Sequence, residues 1–497
     1  MIKMKSIYSF SKYRLMHNRR IEGLTILLMV AALSIASCKK FVDVHAPITS
    51  LTGQNVFTND ATAASVLTGI YGLIGSGSVY TGANGISLRS GLSADELTLA
   101  SGTFFGNNQQ LYQNNLSAQI QLSPSYWEDY YQKLLTVNSA LEGLNASKAL
   151  TNAVKNQLLG EAYFLRGFFH FYLVNFYGEV PLSLTSDWRK NAVASRTAKN
   201  QVLQHVIEDL KQAQDLLSDK YVKSDALTFY KDGSEERIRP TKWAAAAILA
   251  RAYLYTGDWA NAETQATLVI NNNSLYSLNT LAKAFNKNNP EAIWQIQYVN
   301  NDRNTEGYHF ILSGLPNFLR PTYLSSFLLG AFESGDKRRG EWVGGYSSGS
   351  DTFYFPKKYK AQSNPNNSEY LMVLRIAEQY LIRAEARAQQ NNLTGAIDDL
   401  DKIRQRATLP LVAVTNPAIS KSALLDAILH ERQVELFTEW GHRWFDLKRT
   451  GKIDAVMGTV LPVKRPGFTW NTNWQLYPLL QGDINLNPNL APNNPGY

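Results

Sequence analysis

The chain has 497 residues, of which 44% are hydrophobic and 11% aromatic, so it is long and apolar enough to build a sizeable globular core. It contains a single cysteine, which excludes a disulfide within the chain. The formal net charge of +8 falls to +3 when residues 1–37, with six basic residues and one acid, are left out. Because this balance is mild and no basic stripe with interleaved aromatic residues is present, we expect no nucleic-acid partner.

Residues 1–37 predict an export signal. Basic residues come first, an apolar stretch over 23–35 follows, and small residues lead to Cys38. The stretch is shorter than the roughly 20 apolar residues that span a bilayer. This order resembles a bacterial lipobox, in which the signal peptide is removed and the cysteine thiol is acylated, so Cys38 is the predicted lipidation site. The alternative is an ordinary buried cysteine after a short apolar helix.

A tether and then a helical region follow the cysteine. Residues 38–54 are predicted to form a linker, because Pro47, Ser50 and Gly53 interrupt any regular pattern. A helix is predicted to begin at Asn59 or Asp60, since either side chain can cap it. Further apolar residues at helical spacing predict helices over 125–147, 152–177, 196–218, 241–256, 258–272, 370–390, 393–407 and 420–447.

These helices come in pairs. In 243–270, two alanine-rich helices flank a Gly-Asp-Trp turn, which is the layout of a tetratricopeptide hairpin. A second pair covers 376–407, a looser one joins the helix at 161–176 to that at 196–218, and the helix at 125–147 is a further relative. We predict an all-α fold of about four such hairpins, with long irregular loops and few short strands.

Irregular segments separate the helices. Residues 78–122, 178–195, 273–368 and 452–497 are rich in Gly, Asn, Ser, Pro and aromatic residues, with a strand-like run at 293–298. Loops of this length are usually functional. We divide the chain into an N-terminal part, 55–230, and a C-terminal part, 231–497, packed as one globular unit.

Charged and aromatic motifs recur in order from residue 38 to the end of the chain. They are CKKFVD at 38–43, SADEL at 93–97, EAYFLRG at 161–167, FYGEVP at 176–181, RIAE at 375–378, RAEA at 383–386, ERQVEL at 431–436, GHRWFDLKR at 441–449, NPNL at 487–490 and NPGY at 494–497. Together they resemble the SusD/RagB family of Bacteroidetes nutrient-binding outer-membrane lipoproteins.

The resemblance implies a fold and a function. The fold would be the SusD-like arrangement of tetratricopeptide hairpins with an irregular ligand-binding side. The protein would be anchored in the outer membrane by lipid, face the cell exterior, capture oligosaccharides and deliver them to a SusC-type TonB-dependent transporter. Surface-exported relatives often carry acids directly after the cysteine, whereas Lys39 and Lys40 stand here, so the leaflet is left open.

Several charged residues in these motifs are predicted to be structural. Arg432 falls on an apolar helix face with Ile428 and Leu436, and a buried arginine needs an acidic partner. Replacing Arg432 by Met is therefore expected to destabilise the fold by a few kcal/mol. The predicted ion-pair network comprises Arg166, Arg383, Glu385, Glu431, Arg432 and Glu435.

Signatures of an enzyme are lacking in the sequence. The histidines form no close metal-binding pair, and no phosphate-binding loop or nucleophile elbow occurs. Asp95 and Glu96 could serve glycoside hydrolysis, which needs a separation that the sequence does not define. We expect no enzymatic activity and no cofactor; a structural calcium ion, at an unknown site, is left open.

Sugar binding needs flat aromatic faces, together with amides and guanidinium groups for the hydroxyls. The family resemblance implies a ligand near the loop after the strand at 293–298 and near the loop after Asp95 and Glu96. The predicted ligand-binding residues there are Phe104, Phe105, Asn107, Asn300, Asn301, Arg303, Tyr308, Phe318, Arg320 and Tyr323. The alternative is that each ring only packs its own loop. By contrast, Trp127, Trp243, Trp294 and Trp444 lie in regular apolar contexts and are predicted to be core.

Other functions stay open at this stage. The hairpins could form an interaction scaffold without a small ligand, and a glycan-cleaving enzyme is a third hypothesis. Ligand identity is also open, because the resemblance allows different glycans, peptides or other oligomers.

Overall fold

The computed structural model describes residues 56–102, 106–299, 303–363, 366 and 368–497. The predicted signal peptide, Cys38 and the predicted linker lie outside this part of the chain. The residues from Val56 to Tyr497 belong to one compact unit. The division between residues 230 and 231 stays a prediction.

Helices make up most of the described chain. They are α1 (Asp60–Gly75), α2 (Ile86–Ser93), α3 (Gly106–Tyr112), α4 (Tyr126–Ala146), α5 (Asn152–Tyr177), α6 (Trp188–Asn191), α7 (Lys199–Leu216), α8 (Lys242–Thr256), α9 (Trp259–Ile270), α10 (Thr305–Phe310), α11 (Ser326–Ala331), α12 (Lys337–Glu341), α13 (Ile376–Gln389), α14 (Leu393–Arg406), α15 (Val412–Thr415), α16 (Lys421–Glu435), α17 (His442–Arg449), α18 (Ile453–Lys464) and α19 (Gln481–Leu486). Short 3₁₀ turns lie at Val56–Thr58, Gly82–Asn84, Leu281–Lys283, Thr472–Gln475 and Pro488–Leu490.

Short strands form two-stranded antiparallel ribbons. The strands are β1 (Leu97–Leu99), β2 (Ala292–Ile296), β3 (Thr322–Leu324), β4 (Val343–Ser348), β5 (Asp351–Pro356) and β6 (Leu371–Arg375). Strand β1 pairs with β3, β2 with β6, and β4 with β5. Each ribbon except the β4–β5 hairpin joins segments that are far apart in the sequence.

The long helices pack in sequence order, as the hairpin pattern predicted. Helix α4 packs on α5, α5 on α7, α7 on α8, α8 on α9, α9 on α13, and α13 on α14 and α16. Between α8 and α9, Gly257 adopts a φ of +75°, and the Asp258 side chain accepts a hydrogen bond from the Asn261 N–H at 3.2 Å. The mostly helical fold with few short strands is confirmed.

Local signals located the first helix correctly. Helix α1 begins at Asp60, and the Asn59 side chain caps it by accepting a hydrogen bond from the Thr62 N–H at 3.0 Å. Satisfying an otherwise unpaired N–H at the first turn is what makes asparagine a good cap.

Two predicted helices are wrong in part. The helix predicted over 370–390 begins only at Ile376, because Leu371–Arg375 forms the buried strand β6. A continuous apolar run suits a buried strand as well as a helix. The helix predicted over 420–447 is two helices, since Thr438, Trp440 and Gly441 adopt φ values of +52°, +47° and +74°, which no right-handed helix allows.

Some segments predicted to be irregular contain regular structure. The 12-residue helix α18 lies within 452–497, and helices α2 and α3 lie within 78–122. Helix α2 is buried on all sides, so it lacks the apolar stripe that marks a surface helix in a sequence.

Two of the four tryptophans predicted to be core are fully buried. Trp294 and Trp444 each have 0% exposure, and Trp294 packs edge-on against Phe164 with ring centroids 4.8 Å apart. Trp243 and Trp127 are half-buried and pack against the core from its edge, so the prediction holds for them only in part. Each is the second residue of its helix, Trp127 in α4 and Trp243 in α8.

Candidate functional site

The predicted ligand residues that the structure describes lie on adjoining irregular segments. Tyr323 lies on β3 opposite Thr98 of β1, and Ala100 N–H donates to the Pro321 carbonyl at 2.8 Å. Arg320, which precedes Pro321, donates a hydrogen bond to the Tyr308 carbonyl in α10. Helix α3 packs on β1. The ribbon β1–β3, helices α3 and α10, the loop 311–321 and the β4–β5 hairpin are called the loop face from here on.

Tyr308 is the centre of a cationic stack on this face. The guanidinium carbons of Arg303 and Arg320 lie 4.1 and 4.8 Å from the centroid of its ring, close enough for cation–π attraction. Tyr308 is half-buried and Arg303 is exposed. Within the described residues neither arginine has a carboxylate partner at ion-pair distance. The stack therefore presents positive charge beside an aromatic ring.

Arg320 also holds the loop 311–321 in place. Its Nε donates to the Tyr308 carbonyl at 2.6 Å, and one terminal nitrogen donates to the Ser313 hydroxyl at 3.2 Å. The Asn317 side chain accepts a hydrogen bond from the Leu319 N–H at 2.9 Å and closes the loop tip. The conformation of the loop is thus fixed by its own polar groups.

The tip of this loop is apolar and open to solvent. Phe318 is 71% exposed, and its neighbours Leu315 and Leu319 are 52% and 40% exposed. A ring held at a fixed tip and left uncovered is available to a ligand. The local sequence Leu-Pro-Asn-Phe-Leu accounts for this exposed tip. Proline and asparagine favour a turn, and the apolar side chains beside them stay exposed at its surface.

Helix α10 is anchored beneath the stack by buried polar groups. Asn304 caps the helix by accepting from the Gly307 N–H at 2.9 Å, and its amide donates to Glu369. Glu306 accepts from the Gly82 N–H at 3.2 Å. Burial raises the pKa of Glu306 to about 7, while hydrogen bonds from Thr81 and Gly82 oppose the shift. A Cβ at Gly82 would come within 2.6 Å of Thr305, so this close approach requires glycine.

The remaining predicted ligand residues are less open. Tyr323 lies on a strand rather than in a loop, and its ring packs edge-on against Phe353 with centroids 5.3 Å apart. Asn107 lies on α3 and donates to the Ser123 carbonyl at 3.2 Å. Phe104, Phe105, Asn300 and Asn301 lie outside the described residues. Contact of any of these residues with a ligand stays a prediction.

A cavity of about 410 Å³ opens next to Val299, the last described residue before Asn300. Its walls come from α1, from the end of β2 and from two segments that sequence reasoning passed over, 222–230 and 238–239. Two of its lining residues, Tyr71 and Arg239, donate hydrogen bonds to the buried Glu161 at 2.8 and 2.6 Å. The run of Leu227, Phe229 and Tyr230 in a polar loop was the sequence signal that could have found it.

The residues predicted to form a structural network all lie in ion pairs of low exposure. The pairs are Arg166 with Asp209, Arg383 with Asp399, Glu385 with Arg449, Glu431 with Arg338 and Arg404, Arg432 with Asp446, and Glu435 with Arg338, Arg375 and Arg406. They form several clusters at different helix contacts rather than one network. Their contribution to stability stays a prediction.

The largest cluster lies where β6, α14 and α16 meet. Arg375 bonds Glu435 at 2.5 Å, Glu291 at 2.9 Å and Glu439 at 2.7 Å, and it is 2% exposed. Although burial raises the pKa of Glu435, the surrounding guanidinium groups hold it well below its usual range. Burial lowers the pKa of the neighbouring Lys358 to about 8. The ion pairs of this cluster connect strand β6 with helices α14 and α16.

Arg432 differs from the other arginines of these clusters. Its Nε donates to Asp446 at 2.7 Å, whereas its two terminal nitrogens are buried and have no hydrogen-bond partner among the described residues. Asp446 also accepts from Arg449 at 2.8 Å, so it has a second cation.

The acidic pair weighed for hydrolysis is buried directly before strand β1. Asp95 and Glu96 are 3% and 2% exposed. Both carboxylate oxygens of Asp95 accept from Arg443, at 2.9 and 2.7 Å, and Glu96 accepts from the Thr438 N–H at 3.1 Å. These contacts give the pair a structural role.

The described residues include no cluster of metal-binding side chains and no helix that could span a membrane. No group of three or more His, Cys, Asp or Glu side chains in the described ranges is placed to hold a metal ion. None of the described helices is long and apolar enough to cross a bilayer. A structural calcium ion stays a hypothesis, because backbone and amide carbonyls can also supply its ligands.

Several solved structures share this fold. A SusD superfamily protein from Bacteroides vulgatus is 21% identical and aligns with a TM-score of 0.75 over 88% of this chain and 99% of its own. Surface glycan-binding protein A from Bacteroides fluxus is 20% identical, with a TM-score of 0.69 over 88% of this chain and 99% of its own.

Sequence relatives extend over similar lengths. SusD-like protein P38 from Formosa agariphila is 26% identical over 448 residues, which are 78% of this chain and 83% of the relative. SusD-like protein P2 from the same organism is 24% identical over 520 residues, covering 95% of this chain and 99% of the relative.

Two family models complete the comparison. The SusD family model matches residues 343–497, and a model described as starch-binding associating with outer membrane matches residues 40–254. The two ranges do not overlap and together cover more than half of the chain. The chain therefore belongs to the SusD family, as the ordered motifs predicted.

Proposed function

We propose that this protein captures glycans at the bacterial surface and delivers them to a SusC-type TonB-dependent transporter. The description of one matching family model includes starch binding and the outer membrane, and a structurally similar chain from Bacteroides fluxus is named a surface glycan-binding protein. Both support a carbohydrate ligand. The lipid anchor at Cys38 and display on the cell exterior belong to the same proposal.

The observation that carries the proposal is the Tyr308 stack beside Phe318. The exposed Phe318 ring can cover the apolar C–H face of a pyranose, and the guanidinium groups of the stack can donate hydrogen bonds to its hydroxyl oxygens. Arg303 has no ion-pair partner among the described residues, so its donors are available. Because Arg320 fixes the loop in the free protein, little ordering is needed when a ligand binds.

Capture and release need no acid–base chemistry, and the loop face is built accordingly. The buried carboxylates nearest to it, Glu306 and Asp95, are engaged with backbone or arginine groups. A ligand on the loop face would meet rings, amides and cations. We infer that the protein binds glycans without cleaving them.

The binding part of the proposal is tested by calorimetric titration of the full chain in detergent. The panel contains neutral plant and fungal oligosaccharides, acidic oligosaccharides and host glycans. Phe318→Ala and Tyr308→Ala are each expected to weaken binding about tenfold or more. The matched control is Phe468→Ala, because Phe468 is also exposed (47%) and also lies beside an arginine, Arg465.

The outcomes separate the competing functions. Equal losses for Phe468→Ala and Phe318→Ala would remove the assignment to the loop face. Absence of binding to the whole panel would favour an interaction scaffold, and release of shortened products would show an enzyme. Binding of peptides alone would point to a different oligomer class.

Transport and location need separate measurements. Co-purification of a TonB-dependent barrel encoded by the adjacent gene is expected, and a neighbour of another class would remove most support for delivery. Protease treatment of intact cells is expected to digest the protein. Protection until the outer membrane is opened would place it on the periplasmic side.

A further inference from the structure

A second groove lies outside the loop face and is not used by the proposed function. It has a volume of about 400 Å³ and is walled by three segments that are far apart in the sequence: the first turn and a half of α4, residues 181–194, and residues 483–490 near the C-terminus. A smaller cavity of about 30 Å³ adjoins it, and both are lined by Trp127 and Asp483. These two side chains therefore face both spaces.

Trp127 presents an aromatic surface to this groove. Its ring meets Tyr177 edge-on at 79° and Tyr131 at 58°, with centroids 5.2 and 4.8 Å apart. Among the described residues no ring lies parallel to the indole, and its N–H has no hydrogen-bond partner. No ring of the described chain is stacked on the indole, which lines both cavities, and its N–H donor is unused.

Asp483 supplies a carboxylate acceptor that has no partner among the described residues. Its carboxylate has neither a hydrogen-bond donor nor a cation within reach among the described residues, although the residue is half-buried. Burial raises the pKa of the carboxyl, and the nearby Glu128 raises it further. A partly desolvated carboxylate without a donor is costly to the free protein, and a ligand rich in hydroxyl groups would remove that cost.

The walls of the groove are fixed before any ligand arrives. The Tyr131 hydroxyl donates to the Pro181 carbonyl at 2.7 Å, and the Asn487 amide donates to the Ala194 carbonyl at 2.8 Å. Asn191 donates to the Thr185 carbonyl at 2.8 Å. These bonds join all three wall segments, so the distance between the ring and the carboxylate is set by the fold.

We propose that this groove is a second saccharide site, in which a neutral sugar unit stacks on Trp127 and donates hydroxyl hydrogen bonds to Asp483. The carboxylate selects for neutral over acidic sugars, because a uronate would bring a second negative charge beside Asp483 and Glu128. This preference is opposite to that of the cationic loop face. The site extends the proposed glycan capture but uses none of its residues.

The test uses Asp483→Asn, which keeps the shape of the side chain and removes its charge. The full chain is titrated with maltohexaose, xylohexaose, mannohexaose and tri-galacturonate in the wild-type form, in Asp483→Asn, in Tyr308→Ala/Phe318→Ala, and in the combination. Asp398→Asn is the matched control, since Asp398 is an exposed acid on the scaffold helix α14.

We expect at least one neutral hexaose to bind the Tyr308→Ala/Phe318→Ala protein, and Asp483→Asn to weaken that binding about tenfold. Asp398→Asn should change nothing, and tri-galacturonate should not bind this protein. Trp127→Phe, which keeps a ring face, should bind more tightly than Trp127→Ala, and circular dichroism would show whether each variant is folded.

Two results would overturn the inference. One is that no neutral probe binds once the loop face is removed; the other is that Asp483→Asn leaves the remaining binding unchanged. Leu486 lies at the rim of the groove and is 85% exposed. If Leu486→Ser abolished co-purification with the barrel while no probe bound, the groove would be a protein contact instead. Failure of the proposed loop-face function looks different, because Tyr308→Ala/Phe318→Ala would then leave wild-type binding intact.

Discussion

The scaffold and the loop face use the same charged residue types in opposite ways. In the scaffold, Arg375 is buried and bonds carboxylates on both sides, and the pKa of its partner Glu435 is held far below the usual range. On the loop face, Arg303 and Arg320 lie over a tyrosine ring without a carboxylate partner in the described chain. The buried Glu306 has no cation either, and its pKa is raised to about 7.

The difference shows what each region is built to do. Paired charges in the interior fix the relative position of helices, and removing one partner leaves the other charge buried without a counter-charge. Unpaired cations at a surface keep their hydrogen bonds available for a ligand. Substitutions of the same kind in the two regions should therefore change different measured quantities.

The largest effect is expected for Arg375→Met. It leaves Glu291, Glu435 and Glu439 with fewer donors in the interior, so the free energy of unfolding should fall by about 3–5 kcal/mol. Urea unfolding followed by circular dichroism measures this. The control is Arg303→Met on the loop face, which should leave the urea midpoint in place. Equal midpoints for both variants would contradict the distinction drawn between the regions.

The second-largest effect is the change in the free energy of unfolding with pH that comes from the Glu306 carboxyl. Its folded pKa of about 7 lies above its ordinary value, so the folded state gains stability at low pH and loses it as the pH rises through about 7. Between about pH 4 and pH 8 the loss should reach roughly 3 kcal/mol.

Glu306→Gln isolates this contribution, because glutamine can still accept from the Gly82 N–H but does not ionise. Relative to wild type, the variant should gain stability as the pH rises over this range. The difference between the two unfolding curves at each pH is the quantity to measure. A constant difference across the range would show that the carboxyl titrates normally in the folded protein.

Arg432→Met is expected to have a smaller effect than Arg375→Met, about 2 kcal/mol. Asp446 would keep its bond to Arg449, and the substitution removes two buried nitrogens that have no partner among the described residues. Thermal and urea unfolding again report the change. The half-buried Arg465, which stacks on Phe468, provides the control variant Arg465→Met. Unchanged unfolding of Arg432→Met would refute its structural role.

The smallest effect is a difference in glycan affinity between substitutions of the two arginines of the Tyr308 stack. Arg320→Ala removes hydrogen bonds to the Tyr308 carbonyl and to Ser313, so it should weaken glycan binding about tenfold, or about 1.4 kcal/mol. Arg303→Ala should cost less, because Arg303 does not hold the loop. Titration with the best glycan of the panel measures both. Arg320→Lys should resemble Arg320→Ala, since lysine keeps the charge but not the planar pair of donors; full binding by Arg320→Lys would mean that charge alone matters.

Much of the scaffold was predictable because its signals are local. Asn59 and the Gly257–Asp258 turn mark helix ends within a few residues of sequence, and alanine spacing marks the helix contacts. The break after Glu435 was not predictable in this way. Thr438 and Trp440 adopt positive φ values that their residue types disfavour, and both donate hydrogen bonds to distant segments, Thr438 to Glu96 and Trp440 to Ser87 and Met372. Strand β6 was missed because its partner β2 is distant in the sequence.

The candidate site was predictable only in part. The resemblance indicated the loops, but residue type alone could not show that Tyr308 is flanked by two arginines or that Tyr323 belongs to a strand. Trp127 was taken for a core residue because its helix is apolar. Its place in a groove depends on the tertiary fold, which brings Asp483, more than three hundred residues later, to the same groove.

The ribbon β1–β3 has a consequence for how such proteins diversify. It holds Ala100 and Pro321 together by a hydrogen bond of 2.8 Å, so the segments that leave this point start from anchored ends. Lengthening a loop that runs between two fixed elements costs little, because closure entropy grows only with the logarithm of its length. New recognition chemistry can therefore be inserted or exchanged there by evolution or by grafting, while the charge clusters of the helical frame are inherited unchanged.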